Sequence, residues 1–151
     1  MMRDRINEAL KVATKARQAL RMSTLRLIKA AIKDRDIDAR GEGREAVTDP
    51  EILSIMLKMV RQREESAAIY AGASRMDLAD KEREEIGIIQ EFLPSPMTDT
   101  EVGAAIEAAI AETKAEGLRD MGKVVNALRQ KFPGRIDLGQ ASKQVKTKLG
   151  A

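Results

Sequence analysis

An all-α fold is what this sequence predicts, and three observations predict it. The 151 residues are rich in Ala, Leu, Glu, Lys and Arg, which lose least on entering a helix. Aromatic residues make up only 2% of the chain, so the ring clusters that favour strands are missing. Apolar residues recur three and four apart instead of alternating. With 43% apolar residues the chain can form a core, and that core must be aliphatic because its only rings are Phe92, Phe132 and Tyr70.

Ile6, Ala9, Leu10, Ala13 and Ala16 predict a first helix over about residues 3–19. The second follows from Leu25 through Ile28, Ala31 and Ile32 toward Ile37, and GEGRE after Arg40 reads as a loop. Thr48 or Asp49 caps the third, with Pro50 in its first turn and Glu51 suiting its positive end. Ile52, Ile55, Met56, Met59 and Val60 form its apolar stripe, which runs on toward Tyr70 until AGAS breaks it. A fourth helix from about Asp77 carries Leu78, Ile86, Ile89 and Leu93 on one side.

Pro94 and Pro96 push the residues before them away from helix, which places a domain boundary between 1–94 and 95–151. Thr98 and Glu101 form a capping-box pattern, with Met97 and Val102 as its staple. Val102, Ala105, Ile106, Ala109 and Ile110 follow as the fifth stripe. Asp120 is expected to cap a sixth helix (Met121, Val124, Val125, Leu128, Phe132) that Pro133–Gly134 stops, and Asp137 with Gln140 opens a seventh carrying Leu138, Ala141, Val145 and Leu149. The architecture expected is an N-terminal array of helical hairpins followed by a C-terminal three-helix bundle.

Composition excludes several chemistries. The chain has neither Cys nor His, which removes Cys–His and Ser–His–Asp catalysis and the commonest zinc ligands. No apolar run approaches the roughly 18 residues of a membrane helix, and the start, MMRDRINEAL, lacks a signal-peptide apolar region. Residues 1–33 carry nine basic and two acidic groups and resemble an amphipathic transit peptide. A core-packing helix is the preferred reading, since the segment is Ser-poor and holds Asp4 and Glu8. A cytoplasmic location is expected.

DRDIDARGEGRE places Asp34, Asp36, Asp38 and Glu45 at calcium-loop positions one, three, five and twelve. The sixth position is Ala39 where the turn needs glycine, and Arg35, Arg40 and Arg44 would sit among the ligands, so a charged helix end is preferred. Glu82, Glu84, Glu85 and Glu91 share a stretch with Lys81 and Arg83 and read as an ion-paired face. Ser23 and Ser66 have no strand–turn–helix elbow to present a nucleophile, and no glycine-rich phosphate cradle occurs. No catalytic residue, metal or cofactor is assigned.

Charge falls in blocks. Residues 1–76 hold 16 basic and 11 acidic groups (+5), 77–116 hold 3 and 11 (−8), and 117–151 hold 8 and 2 (+6). The tail cations are Arg119, Lys123, Arg129, Lys131, Arg135, Lys143, Lys146 and Lys148. Its apolar residues are committed to helix interiors, so these cations are expected to point outward as one surface. Gly122 in a first turn and Gly134 beside Arg135 are expected to let phosphate approach the backbone, although Gly134 also suits plain helix termination. With Phe132 as its only ring, the tail suits a folded RNA read by backbone and shape better than a stacked single strand. Lys11, Lys15, Arg17, Arg21, Arg26, Lys29 and Lys33 could extend that surface.

DMGKVVNAL, GRID and VKTKL resemble the tail domain of the GatB/YqeY family, which ends the B subunit of the tRNA-dependent aspartyl/glutamyl amidotransferase. STLRLIKAAIK (23–33), RQREES (61–66) and SRMDLADKEREEIGIIQEFLP (74–94) resemble the free-standing YqeY-like form, so the likeness covers nearly the whole chain. The resemblance implies a UBA-like tail and a tRNA-binding accessory role, with Gly122, Lys123, Gly134, Arg135, Lys146 and Lys148 facing the RNA. Arg129, Lys131 and Lys143 join them from the charge pattern. The chain departs from the family at Val125, Ile136, Ser142 and Phe92, where Met, Ala, Asn and Tyr are common. Two rival functions are a protein-interaction adaptor and a carbon–nitrogen ligase using glutamine as amido donor, a label the family carries.

Overall fold

The computed structural model describes residues 1–150 and is all-α. Seven helices run α1 (Met2–Lys15), α2 (Ala19–Gly41), α3 (Asp49–Gly72), α4 (Met76–Gln90), α5 (Asp99–Thr113), α6 (Met121–Lys131) and α7 (Leu138–Gly150), with a 3-10 turn at Leu118–Asp120. The chain divides into two compact units, Met1–Leu93 and the remainder from Pro94.

In the N-terminal unit α3 and α4 share the broadest contact, α1 packs on α2, and α2 reaches both α3 and α4. Ile6, Leu25, Ile28, Ile52, Met56 and Ile89 are fully buried at its centre. α1 belongs to this core through Met2, Ile6 and Ala13. Thr48 caps α3 with a complete capping box to Glu51, and Pro50 sits in the first turn as expected.

The end of α1 differs from the sequence expectation, for a reason that recurs at other helix ends. α1 stops at Lys15, short of Ala19, because Arg17 turns left-handed at φ 55°. The amides of Arg17 and Gln18 then return to the carbonyls of Thr14 (3.2 Å) and Ala13 (3.0 Å). That is a Schellman closure with arginine where glycine is usual. Ser74 (φ 61°) closes α3 and Lys114 (φ 54°) closes α5 by the same pair of bonds, and α2 closes in the same way on a glycine, Gly43. α2 consequently begins at Ala19, six residues ahead of Leu25, and runs through the calcium-like stretch to Gly41.

Residues 34–41 of that stretch are helix, and one of its carboxylates, Asp36, serves packing while Asp34, Asp38 and Glu45 are exposed. Asp36 is buried and takes a bidentate pair from Arg3 (2.7 and 2.6 Å) plus the Val47 amide (2.9 Å), while Arg3 also donates to the Val47 carbonyl (3.1 Å). The Arg3 guanidinium, helped by the Val47 amide, lowers the Asp36 carboxyl to about 2. Glu85 on α4 accepts from Arg63 on α3 at 2.9 Å, with both side chains mostly buried. Glu91 takes Arg21 at 2.5 and 3.2 Å, and Arg5 lies 5.5 Å over the Phe92 ring.

In the C-terminal unit α5, α6 and α7 each contact the other two. Ile106, Val124, Leu128 and Val145 are fully buried between them, with Ala105, Ala109, Ile136 and Ala141 beside them. Thr98 and Glu101 exchange both capping-box bonds at 3.1 Å, and Met97 and Val102 lie against this core. Asp120 precedes α6 but does not cap it. Its carboxylate points back to the Glu116 amide (2.9 Å), because the 3-10 turn has already occupied the entry to the helix. Asp137 does open α7, accepting the Gly139 amide at 3.0 Å.

Candidate functional site

The basic tail is distributed over the 3-10 turn, α6, the 132–137 turn and α7. Core phase decides where each cation points. On α6 the buried Val124 and Leu128 fix the inner face, and on α7 Ala141 and Val145 do the same. Lys131 and Lys148 then fall on the flank of their helices that borders α5. Lys131 meets Glu112 and Lys148 meets Glu107, each at 2.8 Å. Arg135 lies 3.9 Å from Glu101 and donates through Nε to the Ser95 carbonyl at 2.9 Å. Its own carbonyl accepts the Met97 amide at 3.2 Å, so Arg135 braces the turn against the segment leading into α5.

The expected single cationic surface is therefore divided. Three of its members are matched by the carboxylates of α5, and Lys148 lowers the Glu107 carboxyl below the ordinary range. Glu101 is lowered as well, first by the capping bond from Thr98 and last by Arg135. Lys123 sits 3.7 Å from Asp120 and stays largely exposed. Arg129 on α6 and Lys143 and Lys146 on α7 are exposed and pair with no carboxylate among the described residues. Helical phase turns all three away from the α5 flank.

The two glycines part company. Gly122 is exposed, and a Cβ built on it would meet nothing within 4 Å, so the first turn of α6 is open to solvent. Gly134 is buried at φ 77°, so its glycine serves the turn that ends α6 and offers no surface to a phosphate. Ser142 donates to the Leu138 carbonyl at 2.6 Å and is half-buried.

Sequence reasoning missed the counter-ions Glu101, Glu107 and Glu112. They lie up to 41 residues from the cations they meet, and local spacing carries no sign of such pairs. In the N-terminal unit Arg21 is occupied by Glu91, whereas Lys11, Lys15, Arg17, Arg26, Lys29 and Lys33 are exposed. Among the described residues no helix is long and apolar enough to cross a membrane.

Several fungal proteins named "Altered inheritance of mitochondria protein 41, mitochondrial" are similar to this chain. The one from Pyrenophora tritici-repentis is 26% identical over 97% of the chain and 80% of its own length. Those from Vanderwaltozyma polyspora and Lachancea thermotolerans are 33% and 30% identical over 60% and 72% of the chain. The match spans only 47% and 58% of these two yeast proteins. All three names are mitochondrial, and they overturn the cytoplasmic location expected from composition. The family model described as Yqey-like protein matches residues 3–149, so nearly every element described above lies inside it, and the chain belongs to the Yqey-like protein family.

Proposed function

We propose that the C-terminal unit docks a folded RNA, tRNA being the class suggested by its resemblance to the amidotransferase tail, and that the chain acts as an accessory protein without a catalytic step of its own. The observations that carry this reading are the exposed cations Arg129, Lys143 and Lys146, without an acidic partner among the described residues, and the open backbone at Gly122. Lys123, held only loosely by Asp120, completes the surface. Lys131, Arg135 and Lys148 are assigned the lesser part, because an incoming phosphate must compete with α5 for them. The same division fits a UBA-like bundle whose helix α5 faces away from the ligand.

The adaptor alternative has less support. A partner helix seats in an apolar groove, and among the described residues Leu118 is the one large apolar side chain this unit leaves exposed. Glutamine-dependent ligation stays outside the proposal, since the sequence offers neither a glutaminase nucleophile arrangement nor a cradle to activate an aminoacyl ester.

Filter binding of the full chain to bulk tRNA at several salt concentrations tests the reading. Each phosphate neutralised contributes ~0.7–0.9 to the slope of log K against log salt, so the triple variant R129Q/K143Q/K146Q should flatten that slope by about 2. K131Q/K148Q should change it less. An unchanged slope in the triple variant would remove the proposal.

A further inference from the structure

The N-terminal unit contains a groove of about 420 Å³ lined by Arg3, Ile6, Asn7, Lys29, Ala30, Ile32 and Lys33. Its floor is aliphatic, and its rim carries two ammonium groups, one guanidinium and one amide. No carboxylate lines it. Asp36, behind Arg3, has both oxygens engaged by Arg3 and the Val47 amide. Those bonds hold the guanidinium in place yet use only three of its five N–H groups, counting the Val47 carbonyl. Lys29 and Lys33 stand one helical turn apart on α2, where like charges repel unless an anion lies between them.

We propose that this groove binds a phosphate monoester, with the phosphate between Lys29 and Lys33 and its organic part on the exposed Ala30 at the edge of Ile32. A phosphate monoester carries nearly two negative charges and three acceptor oxygens, which matches two ammonium groups assisted by Arg3 and Asn7 better than a carboxylate does. The volume exceeds what a bare phosphate needs and falls within the range of small-ligand sites. The monoester can belong to a free nucleotide or to the terminal phosphate of an RNA strand. Either source is independent of the C-terminal cations, so the RNA reading above can fail without this one.

Amide chemical shifts of the full chain, titrated separately with adenosine monophosphate, inorganic phosphate and bulk tRNA, test the site. Saturable shifts at Asn7 and residues 29–33 with the mononucleotide or with tRNA are expected, and the responding probe names the source. K29Q/K33Q should weaken that binding at least tenfold. A30L, which fills the exposed floor position while keeping every charge, should weaken it comparably and leave the far-ultraviolet spectrum unchanged. K143Q/K146Q should leave mononucleotide shifts as they are. Inorganic phosphate binding as tightly as the ester, A30L without effect, or no saturation with either ester would overturn the proposal.

Discussion

The two units of this chain use charge in opposite ways. In the N-terminal unit two pairs, Asp36 with Arg3 and Glu85 with Arg63, join neighbouring helices beneath the surface, alongside exposed pairs such as Arg75–Asp77 and Arg83–Asp80. In the C-terminal unit the core is wholly apolar and charges meet only around its edge, as Lys131–Glu112 and Lys148–Glu107 do. A buried pair is costly to break because it leaves an uncompensated charge, whereas an exposed pair is screened and contributes little. Buried pairs therefore help fix the arrangement of the first unit, whereas the exposed cations of the second are the ones assigned to RNA in the proposal above.

The largest effect should come from the cores. Ile28→Ala and Ile106→Ala delete the same side chain from fully buried positions in the two units, and each should cost about 3 kcal/mol in denaturant unfolding. Ile106 belongs to a core of eight buried residues against fifteen in the other unit, so hydrogen-exchange protection should collapse across α5–α7 in that variant first. Equal loss in both units would erase the distinction between them.

Next in size is the charge contrast itself. Asp36→Ala should destabilise the chain by about 2 kcal/mol, because it strands Arg3 and the Val47 amide. Lys131→Ala should cost less than about 1 kcal/mol. The acid limb sharpens this. Arg44 and the Thr48 cap lower Glu51 to about 2, matching Asp36. Depressed carboxyls stabilise the fold above the unfolded value of about 4 and lose that contribution as pH falls toward 2. The N-terminal unit should therefore lose stability between pH 4 and 2, and Asp36→Ala should flatten that limb in a pH series of thermal melts.

The smallest effect belongs to the helix starts. Thr48→Ala and Thr98→Ala each remove one capping box, one per unit, and each should cost about 1 kcal/mol. Similar values would show that local capping is indifferent to the charge environment around it, and a much larger loss at Thr98 would mean that the smaller core depends on its first helix being nucleated.

Starts and stops were unequally legible. Thr48–Glu51 and Thr98–Glu101 were readable because a capping box is a local pattern of two side chains on one turn. The ends at Arg17 and Lys114 were not, because those residues enter a left-handed conformation that their side chains do not advertise, whereas AGAS marked the end of α3, which stops at Gly72 within it. Asp120 shows the opposite failure. The residue type suited a cap, but a preceding 3-10 turn drew its carboxylate backward.

By itself the sequence determined that this protein is helical, that its core is aliphatic, and that its net positive charge lies in two end blocks around an acidic middle, since propensity, periodicity and charge count are local or compositional. Tertiary structure alone decided which of the tail cations are free. Lys131 and Lys148 lie against acids on α5, while Arg129, Lys143 and Lys146, of the same chemical type and only a few residues away, do not. The difference is a matter of helical phase and of which helix packs on which flank, and Coulomb attraction acts across that distance in space, not along the chain.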